Sequence, residues 1–141
     1  MKKLSLFLLS FAFMFAGCKS SAPLIEGDWE TRALEIDGVA QEICVSNIKI
    51  EKGKNGLYSI SGDSGVNRYF GSAKIDENSF AVRDDLASTK MAGEPRAMEF
   101  EDNFIKTLIE AVSFKIYKEN GADFLALENA NGSEKLVFIK K

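Results

Sequence analysis

Pro95-Arg96-Ala97-Met98-Glu99-Phe100-Glu101-Asp102-Asn103-Phe104-Ile105-Lys106-Thr107-Leu108-Ile109-Glu110-Ala111 is the stretch on which the fold turns. Ala97, Phe100, Phe104, Ile105, Leu108 and Ala111 fall at i, i+3, i+7, i+8, i+11 and i+14, one face of an α-helix. Pro95 stands where a first helical residue belongs, and Glu94, Glu99, Glu101 and Asp102 load the N-terminal half with negative charge. Lys106, four residues after Asp102, adds a supporting pair. Met98 and Ile109 widen the apolar face, so the helix is expected to pack on a sheet, with Glu101 and Asp102 on a solvated flank.

Outward from this helix the period changes to two. Before it, alternating or apolar runs predict six short strands: Asp28 to Ile36, Val45 to Glu51, Leu57 to Ser61, Arg68 to Ile75, Ser79 to Arg83 and Ala87 to Met91. Trp29, Thr31, Ala33 and Ile36 are expected on one face of the first, and Phe70, Ala73 and Ile75 inside the fourth. After the helix come three more strands, around Phe114 to Tyr117, Phe124 to Leu127 and Leu136 to Ile139. Asp37-Gly38, Asn120-Gly121 and Asn131-Gly132 supply turn chemistry for tight reversals. Sequential hairpins with a single helix predict an α+β fold: a mainly antiparallel sheet, curled or partly closed like a barrel, with one amphipathic helix. The pattern gives one domain over residues 24–141, with no clear internal repeat.

The chain has 141 residues and a formal net charge of −3. That length excludes a dinucleotide-binding domain carrying a second domain, and an α/β barrel. It contains no His, which removes His-based triads, HExxH zinc sites and an imidazole general base at neutral pH. The acidic balance argues against nucleic acid as a partner.

The first residues read as an address. Met1-Lys2-Lys3 is a short positive start, and Leu4 to Ala16 is almost wholly apolar but too short to span a bilayer as a helix. Phe15-Ala16-Gly17-Cys18 resembles the lipobox of bacterial lipoproteins, with Phe15 in place of the usual Leu. That resemblance implies a signal peptide over residues 1–17, removal of that segment, and a diacylated and N-acylated Cys18 as the membrane anchor. Residues 18–23 then form a small polar tether ending at Pro23. Two or three acyl chains, at ~0.8 kcal/mol per buried CH₂, hold a small domain durably. With Cys18 acylated, Cys44 is the one remaining thiol and no intramolecular disulfide forms, so stability rests on the core. Lys19 after the anchor favours the outer membrane facing the periplasm if the host is Gram-negative.

Ser64-Gly65-Val66-Asn67-Arg68-Tyr69-Phe70-Gly71 is followed by Ser88-Thr89-Lys90-Met91-Ala92-Gly93-Glu94-Pro95, where the helix starts. This pair of segments resembles the META domain, the module of the HslJ-like heat-shock lipoproteins. Ile25 to Glu30, and Leu125, Leu127 and Leu136 to Phe138, look like that family's first and last strands. The resemblance implies a role in envelope stress or drug tolerance through contact with an envelope protein. Two cysteines of the family pattern are absent: Val66 holds one place and Gly93 or its neighbour the other, while Lys90 replaces an Arg. In relatives those thiols either face each other or are small buried groups; neither use is open to this chain.

The candidate site residues are Asn67, Arg68, Gly71, Thr89, Lys90 and Met91, read as shape-giving motif residues. Asn tolerates a turn and bonds its own backbone, and Arg68 is expected to pair with Glu99 or Glu101 on the helix. The sharper reading puts Arg68 and Lys90 on a common groove for an anionic partner. Thr89 and Lys90, adjacent on a strand, point to opposite faces and make a poor nucleophile–base pair. The acid pairs Asp76-Glu77, Asp84-Asp85 and Glu101-Asp102 read as solvated surface. Trp29, Phe70, Phe100 and Phe104 read as core or, if the sheet curls without filling, as the lining of an apolar cavity. No catalytic residue, metal site or cofactor is expected. The sequence thus points to a non-enzymatic envelope lipoprotein acting by protein contact, with a binder of a hydrophobic small molecule, lipid or drug, as the alternative.

Overall fold

The computed structural model describes residues 22–141. The signal segment, Cys18 and the start of the tether lie outside the described residues. The elements in chain order are α1 (Ala22–Ile25), β1 (Gly27–Ile36), β2 (Val39–Ala40), β3 (Asn47–Lys52), β4 (Tyr58–Asp63), β5 (Arg68–Asp76), β6 (Ser79–Val82), β7 (Ala87–Ser88), α2 (Pro95–Glu110), β8 (Ser113–Glu119), β9 (Ala122–Glu128) and β10 (Glu134–Lys140).

All strand pairs are antiparallel. The sheet runs β10-β9-β8-β6-β5-β4-β3-β1-β2, and its ends meet because β10 also pairs with β1. The β6–β8 seam is held by the single register pair Ser79↔Ser113. The result is the expected α+β architecture, a curled and partly closed sheet around one long helix.

The turns follow their residues. Asp37 and Gly38 both take positive φ, as do Asn120 and Gly121, the left-handed pair that a two-residue hairpin requires. Inward positions alternate and meet at the centre. Trp29, Leu34, Ile48, Ile50, Ile60, Tyr69, Phe80, Leu125, Leu127, Leu136 and Phe138 are buried there, together with Phe104 and Leu108 of α2. The Phe104 ring lies 5.8 Å from Tyr69, 5.8 Å from Phe100 and 6.2 Å from Phe138. α1 closes the start of β1: Ile25 is buried, and its carbonyl accepts the Trp29 indole N–H at 2.8 Å.

Several expectations need correction. Trp29, Phe100 and Phe104 are buried in the core, the first of the two readings given for them. Phe70 is not core; it is 59% exposed and borders a surface hollow, and its neighbour Tyr69 points inward instead. Ala73 and Ile75 are buried, so period two places Tyr69, not Phe70, on their face. On β1, a bulge between Thr31 and Ala33 resets the alternation, so that Leu34 is buried and Ala33 is not. Val45 lies before β3 and is 89% exposed. The sixth predicted strand shrinks to the two residues of β7, with one further backbone bond from Thr89 to Arg68.

Candidate functional site

The Ser64–Asn67 loop enters β5 beside the N-terminal half of α2, and the Thr89–Ala92 segment runs past both. Glu101 is the junction. It is 8% exposed, not the solvated flank residue the pattern suggested. Its Oε1 accepts the Ser64 hydroxyl and the Asn67 backbone N–H, each at 2.6 Å, and its Oε2 accepts the Asn67 amide at 2.8 Å. Burial alone pushes the Glu101 carboxyl up, but these donors outweigh it and hold the group below its ordinary 4.5. The carboxylate is therefore ionised and saturated at neutral pH.

Asn67 ties this junction to the second motif. Its Nδ2 also donates to the Met91 carbonyl at 3.1 Å. Its Oδ1 accepts the Met91 backbone N–H at 2.7 Å and the Thr89 hydroxyl at 2.9 Å. The Thr89 hydroxyl in turn accepts the Arg68 backbone N–H at 3.1 Å. Asn67, Thr89 and Met91 thus form one structural knot, with Glu101 as the member that sequence reasoning assigned to the surface. A signal for it existed: among the helix acids, Glu101 lies one turn before both the core residue Phe104 and the partly buried Ile105.

Arg68 does not reach the helix. Its Nε donates to Asp63 at 3.2 Å in an exposed pair, because Glu101 is already taken by Ser64 and Asn67. Arg68 and Lys90 share no groove: Arg68 lines a hollow with Asp28, Asn47 and Lys49, whereas Lys90 lines the groove beside α2. Gly71 sits where a Cβ would meet Leu86 Cα at 3.0 Å, so its role is close packing. Val66 and Gly93, the two positions where the resemblance places cysteines, adjoin: a Cβ on Gly93 would lie 2.6 Å from Val66 Cγ2.

The groove beside α2 has a volume of about 680 Å³. One wall is Ser88 to Ala92, and the other carries Met98, Ile105 and Ile109 of the helix. Met91 is 60% exposed and Ile109 51%. Polar groups rim it: Lys90 on the strand side, and Asp102, Lys106 and Glu110 on the helix. Lys106 donates to Glu134 at 3.2 Å rather than pairing with Asp102. Its ammonium is held above the ordinary value by that bond and by the charge of Glu134. The neighbouring Glu134 carboxyl raises the Glu110 carboxyl, and Glu110 together with Lys106 lowers that of Glu134. Among the described residues no helix is long and apolar enough to cross a membrane.

The family model of the META domain matches residues 22–141. No curated protein matches the chain. Among solved structures, the chain is similar to the NMR structure of a protein from Burkholderia xenovorans, at 21% identity, with 86% of each chain covered and a TM-score of 0.70. That likeness speaks to the shared fold.

Proposed function

The chain belongs to the META domain family, and on that footing we propose that it is a non-enzymatic envelope lipoprotein that works by holding another envelope protein in the groove beside α2. In this reading the acylated Cys18 tethers the domain to the outer membrane on its periplasmic side, and the contact serves envelope stress or drug tolerance. The groove carries the proposal: exposed Met91 and Ile109, with Met98 and Ile105 beneath, form an apolar surface bounded by charge. Flexible, polarisable Met side chains suit an adaptable contact.

The chemistry at its head supports contact over catalysis. Glu101, with both oxygens accepting bonds and its carboxyl held low, is a weak base at neutral pH. The Thr89 hydroxyl is engaged with Asn67 and Arg68. A second reading, a bound lipid or drug-like molecule, moves from the filled interior to this same groove, whose volume lies in the usual range for small-molecule sites.

The test is site-specific photo-crosslinking of the full chain in its host envelope, with the photoreactive residue at Met91, at Ile109 and at the exposed control Val45. Adducts of one protein, identified by mass spectrometry, are expected at Met91 and Ile109 and not at Val45. Equal labelling at all three, or none, contradicts protein contact at the groove. A small-molecule adduct at Met91 selects the second reading.

A further inference from the structure

The strand wall of the groove has an unused edge. Thr89 N–H donates to the Arg68 carbonyl at 3.0 Å, while the Arg68 N–H goes to the Thr89 hydroxyl, so Thr89 carries the β7–β5 register on by one backbone bond. The next register pair, Tyr69↔Ser88, is then of the non-hydrogen-bonded kind, and Phe70↔Ala87 is hydrogen-bonded again. Ala87 and Thr89 therefore turn their backbone groups toward β5, and Met91 turns its own to Asn67. By the same alternation the N–H and C=O groups of Ser88 and Lys90 turn away from β5, and both residues line the groove. Among the described residues β7 pairs with β5 alone, and β6 occupies β5 further along, at Ala73 to Asp76.

We propose that the groove takes an extended peptide segment of the partner protein, which adds as a strand to the Ser88–Lys90 edge and packs its apolar side chains against Met91, Met98, Ile105 and Ile109. The inference rests on the contact reading above and specifies the partner's chemistry. Edge addition supplies affinity through main-chain bonds and specificity through alternate side chains. The dimensions agree: Met98 to Glu110 spans ~18 Å of helix at 1.5 Å per residue, the length of about five residues of extended strand. Exposed Lys90 at the rim calls for a carboxylate on the incoming segment, at the residue next to the edge. A helical partner would meet the apolar wall but leave the Ser88 and Lys90 backbone groups unbonded.

A display library of seven-residue peptides, panned on the full chain in detergent and counter-selected on Met91→Glu, tests this. Enriched peptides are expected to alternate apolar and polar residues and to carry Asp or Glu. Backbone N-methylation at every second amide of such a peptide is expected to weaken binding about tenfold, the loss of a bond at a shielded edge, while methylation at the intervening amides changes it little. Because the methyl groups sit on the peptide, protein folding is untouched. Lys90→Pro, which deletes the groove-facing N–H, is expected to weaken binding more than Lys90→Ala. Peptides with an i, i+3, i+4 apolar pattern, or binding indifferent to methylation at every amide, overturn strand addition while leaving the crosslinking result to judge the contact. A library with no binder sensitive to Met91→Glu also overturns it. So does a dimer of the full chain that Met91→Glu dissolves, since the occupant would then be a second copy.

Discussion

Asn67 uses both heads of its amide. The Nδ2 group donates to Met91 and Glu101, and Oδ1 accepts from Met91 and Thr89. Such a residue holds two loops and a helix in one geometry, and its worth is visible only when a partner is removed. Glu101→Gln keeps the shape but turns an amide donor toward Ser64 or Asn67, and is expected to lower stability by about 2–3 kcal/mol in denaturant unfolding. The sign of the pH effect follows from the lowered carboxyl. Glu101 contributes stability that is full above its ordinary 4.5 and lost as pH falls through the lower folded value. Unfolding midpoints measured across this acid range should fall more steeply in the parent protein than in Glu101→Gln; parallel curves would contradict the assignment. Gly93 belongs to the same scale. Gly93→Ala forces its methyl against Val66 and is expected to cost about 1–3 kcal/mol, and the double variant with Val66→Ala should recover most of that. Thermal denaturation of the three proteins decides it.

At the scale of elements, α2 is where sequence and structure agree best. Its period placed Phe100, Phe104 and Leu108 on the buried face, and all three are buried. Phe104 contacts rings from β5 and β10, so Phe104→Ala should cost about 3–5 kcal/mol in equilibrium unfolding, whereas Phe70→Ala, on an exposed side chain, should cost little. A swap of those two effects would mean that β5 is wrongly registered. The hairpins were legible because Asp-Gly and Asn-Gly chemistry is local. What escaped was non-local. The β1 bulge is an insertion against β10 that no run of residues announces, and it reverses the faces of Ala33 and Leu34. The burial of Glu101 depends on a loop 34 residues away supplying its donors. The Asn67–Thr89–Met91 segments were recognisable as a pair, but their direct bonding, and the pairing of Arg68 with Asp63 in place of the helix, were not.

At the scale of the whole molecule, a partly closed sheet around a buried aromatic core points to the outer surface for function. β1 carries the chain from Gly27, just after α1, to Ile36, which pairs with Glu134, the acceptor of the Lys106 bond at the groove's rim. At ~3.3 Å per residue that strand is ~30 Å long. Cys18→Ala is expected to move the protein from the membrane to the soluble fraction on sedimentation. The same variant should keep the native unfolding midpoint, since residue 18 precedes the core residues Ile25 to Phe138. The measurement that bears most directly on the contact groove is hydrogen–deuterium exchange of the full chain in native envelope, compared with the same chain in detergent. Slowed exchange confined to Ser88–Ala92 and the Met98–Glu110 face of α2 in the envelope is the expected result. Identical exchange in both settings, or protection elsewhere with these segments unchanged, would contradict it.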